Sequence, residues 1–244
     1  MPKDCRFKKD EVYLCHMLID IHTHKKPSHT TNLCFLVGVH SLGIHPWELT
    51  TGKTMDSVEA TFELLKKQFN SNILAVGECG LDRAREGIFS VEQQLTVLEW
   101  HLNWAKETKR PLILHCVRAH SDLLMLLKKK RFEGKILLHD YNGNLTEAMK
   151  FLDYDSYFSF GSSFFRKNSK TPQVFKTLPR ERLFLETDDQ NEFSIEKIYE
   201  KACEILRVDQ LVLEENLMKN LLTFFGDLND VSPSDLVANM GFRS

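Results

Sequence analysis

From Thr54 onward, short apolar runs alternate with amphipathic helical stretches, and this rhythm limits the folds open to the chain more than any other feature. Between Thr54 and Phe69 the residues Met55, Val58, Phe62, Leu65 and Phe69 step by three and four, the pattern of a helix with one buried stripe. The apolar run from Ile73 to Gly77 ends at Glu78. Ser90 with Gln93 forms a capping box before a second stripe of Val91, Leu95, Leu98, Leu102 and Ala105. The alternation then repeats. Leu112 to Leu114 ends at His115, and Ser121 to Lys130 reads as helix. Ile136 to Leu138 ends at His139, with a helix over Leu145 to Leu152. Tyr157 to Phe160 ends at Gly161 before a helix over Thr171 to Leu178, and Leu183 to Leu185 ends at Glu186-Thr187-Asp188. Helices over Ile195 to Leu206 and Leu211 to Phe225 follow, the last with Gly226 as its cap.

Upstream, a strand near Leu18 to Ile21 runs into His22-Thr23-His24. After a polar loop, Leu33 to Ile44 reads as two short extended segments meeting near Gly38, ending at His45-Pro46-Trp47. Continuous apolar strands separated by helices imply parallel strands buried on both faces, joined by right-handed crossovers. No Gly-rich phosphate loop follows any strand, so a doubly wound nucleotide fold is disfavoured. The expectation is an α/β chain folded as a TIM-type (β/α) barrel over residues 17–228, preceded by an extension at 1–16 and followed by a tail at 229–244.

A hydrophobic fraction of 42% and a charged fraction of 27% are those of an ordinary globular protein. The formal net charge of −2 offers no global attraction to nucleic acid or anionic membrane. Six cysteines without a CxxC pair read as reduced thiols, and no apolar run is long enough to span a membrane. The expected location is cytoplasmic.

Where the polar residues fall is more informative. His22, His24, His45, Glu78, His115, His139 and Asp188 all stand at the C-terminal ends of the expected strands, which share one face of a parallel barrel. His22 and His24, spaced i, i+2, project to the same side of a strand. Any one of these residues alone is a common core histidine or carboxylate. Together they form a set of nitrogen and oxygen donors suited to divalent metals. Even four of these histidines with the two carboxylates exceed what one catalytic zinc needs. Two ions are therefore expected, with a carboxylate such as Glu78 shared between them.

The ordered motifs Asp20-Ile-His-Thr-His24, Gly43-Ile-His-Pro-Trp47, Gly77-Glu-Cys-Gly-Leu-Asp82, Pro111-Leu-Ile-Leu-His-Cys116, His139-Asp-Tyr-Asn-Gly143 and Leu185-Glu-Thr-Asp188 resemble the TatD-like metal-dependent deoxyribonucleases of the amidohydrolase superfamily, in a short bacterial branch. The resemblance runs from Met17 to Leu228. It implies His22, His24 and Asp188 on one metal, His115 and His139 on another, and Glu78 between them, with Mg, Mn or Zn as the ions. It also implies that Asp188 orients the attacking water and accepts its proton, and that the substrate is DNA, single-stranded or at 3′ ends, cut as by a 3′ to 5′ exonuclease. Only about twenty residues separate His24 from His45, so at least one early βα unit is expected to be missing or collapsed. Asp188-Asp189-Gln190-Asn191 departs from the family's usual Asp-Ala-Pro-Tyr.

His45, Trp47 and Arg118 are the expected substrate contacts, Trp47 by stacking on a base and Arg118 by meeting a phosphate. Lys25, Lys26, Arg83, Arg85, Arg166 and Lys167 are expected on the same face, diluted there by Asp82, Glu86, Asp140 and Asp189. Lys128 to Arg131, Trp100, Trp104, Cys79 and Cys116 read as structural. A monomer or weak oligomer is expected. The rival readings are an esterase, amidase or aminoacyl-tRNA deacylase on the same metal centre, and a metal-stabilised binding protein without catalysis.

Overall fold

The computed structural model describes residues 17–25 and 32–226. The expected extension at 1–16, the tail at 229–244 and Lys26 lie outside the described residues.

Eight strands follow one another around a ring: β1 (Ile19–Thr23), β2 (Leu33–Leu36), β3 (Ser41–Leu42), β4 (Ala75–Asp82), β5 (Leu112–Val117), β6 (Ile136–Leu138), β7 (Ser156–Phe160) and β8 (Leu183–Leu185). β3 to β8 pair consecutively and in parallel, and β1 pairs in parallel with β2. Two narrow seams join these sheets. At one, Thr23 bridges Asp188, with Asp188 N donating to His22 O at 3.0 Å. At the other, Val37 bridges Ser41 across a tight turn in which Gly38 takes φ +78°. The expected barrel is therefore present, and its early part is compressed. Among the described residues no helix lies between β1 and β2 or between β2 and β3.

The helices form where the stripes and caps direct. α1 (Met55–Gln68) starts at a Thr54–Ser57 capping box, α2 (Val91–Thr108) at Ser90–Gln93, and α4 (Leu145–Phe151) at Asn144–Glu147. α3 (His120–Lys130) begins at Ala119, which supplies no side-chain cap. α5 (Thr171–Thr177), α6 (Ile195–Leu206) and α7 (Gln210–Phe225) complete the outer layer, with Gly226 capping the last. The late helices brace the early strands. Tyr199 of α6 accepts a hydrogen bond from Ile19 N at 2.8 Å, and Phe225 of α7 stacks on Phe35 of β2 at 4.9 Å.

Two strands depart from expectation. β5 runs through His115 to Val117, held there by continued pairing with β4, so His115 lies inside a strand and not at its end. β4 runs through Glu78 to Asp82, so Glu78 lies inside a strand and not at its end. Val76 pairs with Leu112 and Cys79 with Leu114, leaving one extra residue on β4, a bulge that turns Glu78 toward the barrel axis. The close approach of β4 to β5 requires glycine. At Gly80 (φ +148°) a Cβ would lie 1.9 Å from the His115 carbonyl oxygen.

His101 of α2 ties the wall to the β3 loop. It is fully buried, its Nδ1–H donates to Val97 O at 2.8 Å, and its Nε2 accepts from Ile44 N at 3.0 Å. Burial pushes its pKa down to about 4. Between pH 6.5 and 4 the unfolded chain binds a proton that the folded chain refuses, so stability is lost as pH falls through that window. The stability difference between wild type and His101→Leu, read by urea unfolding, should shrink by about 3 kcal/mol from pH 7 to pH 4. A difference constant across that range would contradict this role.

Candidate metal centre

Glu78 stands at the middle of the polar cluster. It is 4% exposed, and its two oxygens face two groups of donors. Oε2 lies 3.2 Å from His22 Nε2 and 3.6 Å from His24 Nε2. Oε1 lies 2.8 Å from His139 Nε2, 2.9 Å from His45 Nε2 and 3.1 Å from His115 Nδ1. Asp188 Oδ1 closes the first group, 3.5 Å from His24 Nε2 and 3.7 Å from His22 Nε2. All six expected ligands thus meet in one place, at the C-terminal face where parallel barrels collect reactive groups.

Each side chain has a local cause for its aim. Strand alternation carries Asp20, His22 and His24 to one side of β1. Asp20 then fixes the end of β8: Thr187 N donates to its Oδ1 at 2.9 Å, and Thr187 Oγ1 to its Oδ2 at 2.6 Å. That clamp delivers Asp188, held in the left-handed region at φ +53°. Arg118 (φ +54°) and Asp140 (φ +35°) adopt similar conformations just after β5 and β6. Non-glycine residues enter this region at a cost of about 1–2 kcal/mol, and such strain concentrates at functional sites.

Two carboxylates that the sequence reading left in the background hold the outer nitrogens of two histidines. Asp82 Oδ2 lies 3.3 Å from His115 Nε2 and accepts from Trp47 Nε1–H at 2.7 Å. Glu186 Oε1 lies 3.4 Å from His139 Nδ1, while Glu186 also accepts from Asp140 N at 2.7 Å and Ser159 Oγ at 2.5 Å. Carboxylate–histidine pairs of this kind set which ring nitrogen carries the proton. The signal for Asp82 was its spacing: four residues beyond Glu78 on one strand, it points to the same side.

The donor set fits a metal. With His115 Nε2–H directed at Asp82 and His139 Nδ1–H at Glu186, the facing atoms His115 Nδ1 and His139 Nε2, 3.2 Å apart, both present lone pairs. Two lone pairs at that separation call for a cation between or beside them. His22 is fully buried and neither of its ring nitrogens has a hydrogen-bond partner, which is costly unless a ligand bond completes one. The electrostatics agree. Burial alone would lower His139 and His115, but Glu78 with Glu186 lifts the first well above the usual histidine range, and Asp82 with Glu78 raises the second. Asp188 and Glu78 lift His24 to about 10. Burial pushes Glu78 up, and His139, His22 and His115 outweigh it and hold the carboxyl well below the ordinary range. The site draws in positive charge.

His45 is placed with the expected ligands but differs from them chemically. Geometry groups it with Glu78 and His115 as a possible ligand set. Its Nδ1, however, accepts from Trp47 N at 3.0 Å within the cap of a short 3-10 turn, Pro46–Glu48. A neutral ring whose Nδ1 lone pair is so used carries its proton on Nε2, and that nitrogen is then a donor and not a ligand. Trp47 is 41% exposed, with the Arg85 guanidinium 4.1 Å from its ring centre, so one face is already covered. Arg118 is exposed and is not drawn into the cluster. Cys79, Cys116 and Trp104 are buried packing residues, as expected, and Trp100 is partly buried against the core.

A family model described as TatD related DNase matches residues 6–226. An uncharacterized metal-dependent hydrolase of Escherichia coli, YjjV, is 29% identical over 198 residues, 76% of this chain and 75% of the relative. The 3′-5′ ssDNA/RNA exonuclease TatD of Klebsiella pneumoniae is 31% identical over 60% of this chain and 55% of its own length. The crystal structure of YjjV, described as a TatD homologue, matches with a TM-score of 0.68 at 26% identity, over 82% of this chain and 79% of that one. No described helix is long and apolar enough to cross a membrane.

The assignment of His45 can be read directly. Nitrogen NMR of the full chain with its imidazole rings labelled should show His45 protonated at Nε2 and bare at Nδ1, and adding Zn should leave that proton in place. A bare Nε2, or its loss of the proton on adding Zn, would contradict the donor role.

Proposed function

Because this chain belongs to the TatD related DNase family, a family of metal-dependent hydrolases, we propose that it hydrolyses phosphodiester bonds of nucleic acid, most specifically single-stranded DNA from its 3′ end. The observation that carries this reading is the position of Glu78, whose two oxygens face two separate donor groups. In this reading His22, His24 and Asp188 hold one divalent ion, His115 and His139 hold a second, and Glu78 is shared. Mixed nitrogen and carboxylate donors suit Zn or Mn well, and Mg less so. When bound, such a pair supplies Lewis acidity to the phosphoryl group and acidifies water.

The remaining work falls to the chain's own residues. Asp188 sits at the open side of the cluster. Burial raises its pKa, but His24, His139 and His22 outweigh that and lower it, so it is ionised at neutral pH and free to accept the proton of an attacking water. His45 directs Nε2–H into the site, where a non-bridging phosphate oxygen would accept it in place of Glu78 Oε1. Asp82 and Glu186 keep His115 and His139 in the tautomers that binding requires. Trp47 is anchored through Asp82 at the rim, where its free face is available to a base.

The test is direct. The protein loaded with Mn or Zn should shorten 5′-labelled single-stranded DNA stepwise. His22→Ala and Asp188→Asn should each lower that rate by about 100-fold or more. DNA that stays intact with Mg, Mn and Zn alike overturns the nuclease reading, and turnover of ester or amide substrates under the same conditions would reassign the centre.

A further inference from the structure

A groove lies beside the metal cluster on the same face. The loops after β5, β6 and β7 enclose a groove of about 660 Å³, as large as sites that hold drug-sized ligands and larger than one phosphate needs. Arg118 comes from the first loop, and Arg166, Lys167 and Lys170 from the third. None of these four cations makes an ion pair or side-chain hydrogen bond with a described residue.

The two carboxylates that also line the groove are already engaged. Arg83 grips Asp122 through two bonds of 2.8 Å, and Glu147 accepts from Asn144 N at 3.1 Å and lies 3.7 Å from His120 Nδ1. The groove therefore carries a net positive field directed at whatever enters it. Two further features favour acceptor oxygens there. α3 starts at the groove without a side-chain cap, so its first N–H groups are unclaimed by any capping residue. Ser163, a 1% exposed residue of the lining, has an Oγ with no hydrogen-bond partner.

The groove is built from the same loops that leave the metal cluster: Arg118 follows His115 by three residues, and Asn142 and Gly143 of the lining follow His139 in the loop after β6. A ligand lying along these two loops would extend from the groove toward the metal cluster. Four unpaired cations spread over two loops suit a chain of phosphates better than a single anion.

We propose that this groove is a track for the phosphates flanking the scissile one, so that a polynucleotide strand lies across the loops after β5, β6 and β7 while its end occupies the metal centre. The inference rests on the nucleic-acid reading above and adds to it where the strand runs and which side chains hold it.

The experiment compares the full wild-type chain with Arg166→Gln/Lys167→Gln, two surface positions outside the metal centre. Binding of a fluorescent single-stranded 12-mer is measured by anisotropy in Ca²⁺ over a range of salt, and hydrolysis of bis-p-nitrophenyl phosphate is measured with Mn. The double variant should bind the 12-mer about tenfold more weakly, and its slope of log affinity against log salt should fall by about 1.4, two contacts at about 0.7 each. Turnover of the small diester and the metal content should be unchanged. Wild-type DNA binding that the double variant does not weaken would overturn the track alone. Equal loss on the small diester would overturn it too, because the residues would then act on the centre itself. A wild type that neither binds nor cleaves DNA would overturn the nucleic-acid reading, and the track with it.

Discussion

Everything in this molecule is arranged around one buried carboxylate. Glu78 is almost wholly removed from water and surrounded by five imidazole nitrogens, three on one oxygen and two on the other. A charge so placed persists only if opposite charge or strong donors compensate it, and leaving it unpaired costs roughly 3–5 kcal/mol. The barrel meets this demand by bringing β1, β4, β5 and β6, and the β3 and β8 loops, to a single point. The bulge in β4 and the glycines beside it are the backbone's contribution, because they turn Glu78 inward and let β5 close against it.

A second layer gives the cluster its chemical differentiation. Asp82 and Glu186 orient His115 and His139 so that lone pairs face inward, while the Trp47 amide orients His45 the opposite way, with a proton facing inward. Rings only a few ångströms apart thereby face the centre differently, two with lone pairs and one with a proton. Asp20 plays the same part for Asp188 through Thr187, joining β8 to β1 at the narrow seam of the barrel. That seam lacks broad strand pairing, and the polar clamp and Tyr199 compensate for it. The compressed early barrel is tolerated because α6 and α7 cover strands that a crossover helix would otherwise protect.

Much of this was legible from the residues. Apolar runs that stop before His139 and Asp188 read correctly as strands, because parallel strands buried on both faces leave little room for polar residues until they end, whereas β5 carries His115 within it. The shortened connection between His24 and His45 announced the compressed early barrel by its length alone. Glu78 was misplaced at a strand end because a bulge has no periodic signature, and Gly77 looked like a terminator when it is an interior residue that permits close approach. The roles of Asp82 and Glu186 depend on which ring nitrogen they reach across the barrel, and no local pattern encodes that. Arg118, Arg166 and Lys167 were expected on this face, but their gathering in one groove was not legible, because Arg118 and Arg166 are distant in sequence and come together only because β5 and β7 flank β6.

In the proposed function Glu78 would be shared by two metal ions, one on each oxygen. Anomalous diffraction from crystals grown with Mn or Zn tests it most directly. Two peaks are predicted, one bounded by His22, His24 and Asp188 and the other by His115 and His139, each in contact with a different oxygen of Glu78 and neither bonded to His45. A single peak, or any peak bonded to His45 Nε2 in place of His139, would contradict it.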